Sequence, residues 1–236
     1  MKLYQPPVIF VYSTCVVGVI GDDLGAICKK AEEEYGIPVI PVEASGFAGN
    51  KLVGYRAACK ALLDLMKRGA STQNKRGHNK IEEIDMETDK PTDNSRIRLN
   101  ILGDFNLAGE TWILENYLRR IGVMVNTTIT GDSTCEKLMR APTADLNIVQ
   151  CAGSMVYLAR KMEEEYGIPY QRISFVGLED TMASLRKIAN FIGSQETKAR
   201  VEELIEEETR KIKSKLQFYR RRLEGKKAAI YVGGWL

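Results

Sequence analysis

The sequence predicts an α/β protein built on doubly wound parallel sheets. Short, wholly apolar runs such as residues 8–12 (VIFVY) have the character of strands buried on both faces. Between them lie amphipathic stretches whose apolar residues recur at helical spacing. The two kinds of segment alternate along most of the chain, which is the order that yields parallel strands joined by crossover helices.

The strand at 8–12 is followed by a helix over 22–35, with Leu24, Ile27, Cys28, Ala31 and Tyr35 on one face. Gly36 stops that helix, Pro38 prevents its continuation, and residues 39–42 (VIPV) form the next strand. A helix over 52–67 completes the first set. Residues 70–95 are rich in Lys, Asp, Glu, Asn and Thr and lack periodicity, the composition of a polar linker or a disordered insertion. Strand 98–102, helix 109–120 and strand 123–129 follow. A short helix begins at Ser133, which with Glu136 has the spacing of a capping box. Strand 146–150, helix 154–166, strand 172–176, helix 181–192, a long helix over 196–223 and a strand over 228–232 complete the pattern. The long helix carries acidic residues early and basic residues late, which complements its dipole. Its expected buried face is Val201, Leu204, Ile205, Ile212, Leu216 and Tyr219.

The heptapeptide EEEYGIP occurs at residues 32–38 and, unchanged, at 163–169. Each copy closes a helix and opens a strand. The segments upstream differ in length, so the repeat marks a shared strand–cysteine–helix–strand layout rather than a strict duplication.

Composition narrows the function classes. The chain has 236 residues, 44% apolar and 28% charged, and a net charge of +3 from 34 basic and 31 acidic residues. Such a balance points to no nucleic-acid or membrane partner. No apolar run has the length of a membrane span and no signal peptide precedes the first strand, so a cytoplasmic protein is expected. Five cysteines without a disulfide framework agree with a reducing compartment.

Two of the cysteines stand out by position. Cys15 and Cys151 each follow a strand end and precede a helix, where open parallel sheets bind ligands. Cys28, Cys59 and Cys135 fall among apolar helix residues and are expected to pack as small core side chains. There is no CxxC and no His–Cys cluster, so spacing alone indicates no zinc or haem site. The single histidine, His78, lies in the polar segment, which removes a His-dependent triad. The glycines of GVIGDDLG match neither a dinucleotide fingerprint nor a phosphate loop. From the residues alone, the chain is an α/β protein with two strand-end cysteines of open purpose.

Five blocks carry a family resemblance: STCVVGVIGDDLGAICKKAEEEYGIPVIPVEASGFAGNK, LNILGDFNLAGETW, NIVQCAGSMVYLARKMEEEYGIP, ISFVGLEDTMASLRKIA and LEGKKAAIYVGG. In this order they resemble the α-type subunits of the nitrogenase component 1 family, and within it those of the scaffold on which the iron–molybdenum cofactor matures. The resemblance covers nearly the whole chain outside the polar segment. It implies nitrogenase component 1-like Rossmann-type domains. It also implies that Cys15 is a ligand of a four-iron, four-sulfur cluster (4Fe–4S) at the interface with a β-type partner. Cys151 would ligate an iron–sulfur precursor of the cofactor, with Ser154 on the same turn. In catalytic subunits, the block matching NKLVGYR carries a glutamine near the cofactor's organic acid and a histidine bonded to the cofactor. Here those positions are Lys51 and Tyr55, as the scaffold would have them, and both count with Ser154 as cofactor-binding candidates. Lys51 would help to hold an anionic cluster or organic acid.

The partners implied by resemblance are a β-type scaffold subunit in a heterotetramer, the nitrogenase iron protein and a precursor-cluster donor. No independent reductase activity is expected. Two alternatives stay open: a catalytic component 1 α-type subunit, and a metal-free α/β interaction module. Against the family pattern the chain reads as truncated at both ends, with the remaining ligands of the interface cluster outside it. The expected organisation is a partial first α/β unit (1–69), the polar linker (70–95), a second α/β domain (96–225) and the start of a third (226–236).

Overall fold

The computed structural model describes residues 4–75, 97–150 and 152–229, with backbone alone at 71–75 and 152. Strands β1 (Ile9–Tyr12) and β2 (Val39–Val42) pair in parallel, with Ile9 opposite Val39 and Tyr12 opposite Val42. A second sheet contains β3 (Arg98–Asp104), β4 (Met124–Thr130), β5 (Leu146–Val149) and β6 (Tyr170–Arg172). Its order is β4-β3-β5-β6 and every pair is parallel.

Helices cover both faces of the second sheet, so the doubly wound arrangement expected from the sequence is present. Successive strand residues point to opposite faces, and the two cores divide accordingly. Leu99, Ile101, Leu146 and Ile148 pack under α4 (Glu110–Arg120), α7 (Gly177–Ile192) and α8 (Gln195–Leu223), through Leu118, Leu185, Ile188, Val201 and Leu204. Leu102, Ile129 and Val149 pack under α3 (Lys51–Lys75) and α6 (Ala152–Tyr166), through Cys59, Leu63, Met66, Leu158 and Met162. α3 also contributes Ala61 and Leu65 to the core of the first sheet, against Val8, Ile40 and Val42. One helix therefore shares both cores and ties the sheets together.

Both EEEYGIP copies terminate a helix in the same way. Gly36 closes α2 (Leu24–Tyr35) at φ 68° and donates its N–H to the Glu32 carbonyl. Gly167 follows α6 at φ 71° and donates to the Glu163 carbonyl.

Several boundaries differ from expectation. The segment after β1 is not a plain loop but a short helix, α1 (Cys15–Ile20), opened by the Thr14 hydroxyl, which accepts from Val17 N–H, and closed by Gly21 at φ 74°. α3 runs on to Lys75, into the segment expected to be linker. Gly69 does not stop it, because that residue lies against Met139 of α5 (Cys135–Met139), where a side chain would have no room. The cap of α5 is Thr134 rather than Ser133: the Thr134 hydroxyl accepts from Lys137 N–H at 3.2 Å, while Ser133 bonds the Thr127 hydroxyl. β6 ends at Arg172, since its partner β5 ends at Val149. Within the α2 face, Leu24 and Cys28 are buried but Ile27 and Tyr35 are exposed. In α8, Val201, Leu204 and Ile205 are buried, whereas Leu216 and Tyr219 are exposed where the helix extends past the sheet. The expected strand over 228–232 and most of the polar segment, His78 included, lie outside the described residues.

Candidate functional site

The strand order reverses between β3 and β5: the chain leaves β3 for β4 on one side and later returns to β5 on the other. In open α/β sheets, ligands bind beyond the carboxyl ends of the strands at such a point. Here that point is bridged by side chains. Gln150, the residue after β5, donates its side-chain N–H to the Asp104 carboxylate at the end of β3, at 3.1 Å, and its backbone N–H to the Leu102 carbonyl. Asp104 is buried and also accepts from Asn106 N–H at 2.8 Å. Asn106 has φ 51°, a left-handed conformation that asparagine tolerates better than most residues. The turn is completed by Glu110, whose carboxylate accepts from the N–H groups of Leu107 and Ala108. Backbone N–H donors, including these two, hold Glu110 below the usual carboxylate range. Sequence reasoning missed Asp104, Asn106 and Gln150 as shapers of this edge. GDFN at the end of an apolar run signals a turn at Asp104 and Asn106, but nothing local names Gln150 as the partner of Asp104.

The third turn of α3 meets the first turn of α6 beside this edge. The Cys59 thiol on α3 donates to the Ser154 carbonyl on α6 at 3.9 Å, a sulfur-length bond. Burial pushes the Cys59 thiol up to about 11, partly countered by the backbone N–H of Leu158. One turn earlier on α3, the Arg56 guanidinium carbon lies 5.8 Å from the centre of the Tyr157 ring of α6. Lys51 lies with its ammonium 5.5 Å from the Tyr55 ring centre, on its own helix. Thus Lys51, Tyr55 and Ser154 are all carried on the opening turns of two helices that touch. Ser154 is 5% exposed, and its hydroxyl has no hydrogen-bond partner among the described residues. Cys151, the residue before α6, lies outside the described residues.

Cys15 stands on the other sheet. Ser13 anchors its approach: Ser13 N–H donates to the Val42 carbonyl at 3.0 Å and its hydroxyl accepts from Ala44 N–H at 2.9 Å. These bonds join the chain leaving β1 to the chain leaving β2. Cys15 is exposed at the first position of α1, with its sulfur against Gly46, where a Cβ would come within 2.9 Å. Around it Val16, Val19, Ile20 and Phe47 are all exposed. Among the described residues, no group of three His, Cys, Asp or Glu side chains gathers to hold a metal ion. Cys15 thus offers a single thiolate at this place. Cys28 and Cys59 are buried and Cys135 half-buried among apolar neighbours. Among the described residues, no helix is long and apolar enough to cross a membrane.

The surroundings of Ser154 fit an anionic group. Neither α3 nor α6 has an acidic side chain in its first turn. A Cβ built on Gly54 or Gly153 would meet nothing within 4 Å, so there is open space over both turns.

Residues 1–236 match, as a whole, the family described as nitrogenase component 1 type oxidoreductase. The chain belongs to the nitrogenase component 1 family. Within that family it is 53% identical over 230 residues to the nitrogenase iron-molybdenum cofactor biosynthesis protein NifE of Clostridium pasteurianum, covering 98% of this chain and 46% of that protein. It is 47% identical over 234 residues to the protein of the same name from Methanosarcina barkeri, covering 99% and 48%. The solved structure of nitrogenase Cp1 at pH 5 superposes with a TM-score of 0.79 at 33% identity, over 95% of this chain and 41% of that one. The chain spans slightly less than half the length of the curated relatives it matches.

Proposed function

We propose that this chain serves in the α-type scaffold subunit for maturation of the nitrogenase iron–molybdenum cofactor, holding an iron–sulfur precursor cluster as cargo in the cytoplasm. The observation that carries this reading is the packing of α3 against the first turn of α6, which joins two sequence blocks at one place through Cys59 and Ser154. The names of the relatives at 53% and 47% identity support the same assignment.

In this reading Cys151 supplies the thiolate that holds the precursor. The Ser154 hydroxyl donates a hydrogen bond to it, which tunes the cluster as outer-shell donors do. Lys51 provides positive charge toward the cluster or an organic acid, and Tyr55 occupies the position where a catalytic subunit would carry histidine. The sole histidine of the chain is His78, so the described residues bring no histidine to that place as a proton donor near neutral pH. Cys15 contributes one thiolate to a 4Fe–4S cluster shared with a β-type scaffold subunit, whose approach would cover Val16, Val19, Ile20 and Phe47. The nitrogenase iron protein and a precursor-cluster donor act on the assembled heterotetramer.

The full-length protein, isolated anaerobically with its β-type partner, tests this by iron analysis and electron paramagnetic resonance. The expected result is precursor iron that is lost in Cys151→Ala, with no acetylene reduction. Acetylene reduction by the reconstituted complex would assign a catalytic subunit instead, and a colourless, iron-free complex would assign a metal-free interaction module.

A further inference from the structure

The residues assigned above leave one cation at the site without a role. Arg56 lies three positions before Cys59, on the face of α3 that packs against α6. Among the described residues no carboxylate lies within ion-pair distance of its guanidinium, which instead rests against the Tyr157 ring at 5.8 Å. Lys51 is five positions earlier and so points about 140° away around the helix. It stacks on Tyr55 of its own helix. Arg56 is therefore the α3 cation set against the opening turns of α6, while Lys67 pairs with Glu165 at that helix's far end.

α6 presents matching features. α4, α5, α7 and α8 each carry an acidic residue in the first turn, whereas α6 has none, so the positive end of its dipole is uncompensated by its own side chains. Ser154 in that turn has a buried hydroxyl without a partner among the described residues. The space over Gly153 and Gly54 is open. A guanidinium fixed on an aromatic face keeps its charge in one place at small entropic cost. Ser154 and Tyr157 lie one turn apart on α6, so dipole, guanidinium and hydroxyl all favour negative charge along its opening two turns.

We propose that Arg56 is an anion-binding residue of this site: it neutralises a polyanionic ligand seated at the start of α6, with Tyr157 orienting its guanidinium. The inference rests on the proposed function in taking that ligand to be the thiolate-bound precursor cluster. Arg56 adds charge compensation and orientation, while the thiolate supplies the bond to iron.

The test uses the full-length protein with its β-type partner, loaded anaerobically with precursor and challenged with an iron chelator. Arg56→Gln is expected to release precursor iron about tenfold faster than the parent, and Arg56→Lys to recover most of the retention. The midpoint potential of the cluster is expected to fall in Arg56→Gln, because a nearby cation stabilises the reduced, more negative state. A packing role alone would leave the potential in place. Unchanged release and potential in Arg56→Gln overturn the inference, as does a failure of Arg56→Lys to recover. If Arg56→Gln does not accumulate, Tyr157→Leu keeps the charge but removes its platform. That variant is expected to release iron at an intermediate rate, and release at the parent rate overturns the inference. The scaffold assignment fails separately, by retention of precursor iron in Cys151→Ala.

Discussion

The Cys59 thiol on α3 is bonded to the backbone carbonyl of Ser154 on α6, 3.9 Å away and 95 positions along the chain. This buried contact predicts a reactivity order. At neutral pH a maleimide is expected to label Cys15, which is exposed, and to spare Cys28 and Cys59, which are 2% exposed. Peptide mapping by mass spectrometry reads the order. Labelling of Cys59 as fast as Cys15 in the folded protein would contradict it.

The same thiol predicts a loss of stability in alkali. Its folded value is about 11 against an ordinary 9.0, so above pH 9 the unfolded chain loses a proton that the folded chain keeps. The contribution is complete below pH 9 and is lost as pH rises toward 11. It amounts to about 3 kcal/mol. Urea midpoints across this range should fall for the parent and fall less for Cys59→Ala.

Glu110 predicts an effect at the acid end. Its carboxylate is depressed by the N–H groups it accepts from, so its support for the turn is present above the ordinary carboxylate range and is lost as pH falls through the lowered value. Amide exchange at Leu107 and Ala108 should accelerate on acidification more than the intrinsic rate allows. Glu110→Gln should show fast exchange at every pH.

Gly69 predicts a packing penalty. A Cβ there would come within 2.8 Å of the Met139 carbonyl oxygen and closer still to the Met139 side chain. Gly69→Ala should destabilise the protein by about 1–3 kcal/mol despite alanine's better helix propensity. Chemical denaturation measures it; a stabilised variant would show that α3 and α5 can move apart freely.

Arg186 and Glu202 join α7 to α8 by two bonds of 2.7 Å in the two-pronged geometry. Both are about half exposed. Glu202→Gln should therefore cost under about 1 kcal/mol, and less in high salt.

The fold was legible wherever one physical signal dominated. β3 and β5 are buried on both faces and declare themselves as apolar runs, each broken by one buried asparagine, Asn100 and Asn147, which bond each other. α1 was hidden because CVVGVI combines β-branched residues with glycine, and only Thr14 and Gly21 mark its ends. The exposure of Ile27, Leu216 and Tyr219 could not be read from periodicity, which gives a helix its face but not what stands opposite. For the site, strand-end position singled out Cys15 and Cys151, and the family resemblance added Lys51, Tyr55 and Ser154. The pairing of α3 with α6 was not legible, since nothing local to Cys59 or Ser154 names its partner. Asp104 and Gln150 were missed for the same reason.

The bond between Gln150 and Asp104 spans 46 positions and closes only when β3 and β5 lie side by side. Contacts of such separation form late, after the entropy of closing the intervening chain has been met. The crevice at the strand ends accordingly has no existence in a nascent chain. Whatever it carries must be delivered to a finished fold, and the polypeptide must first stand on its own cores. On the proposed reading, loading of the precursor therefore follows folding in time.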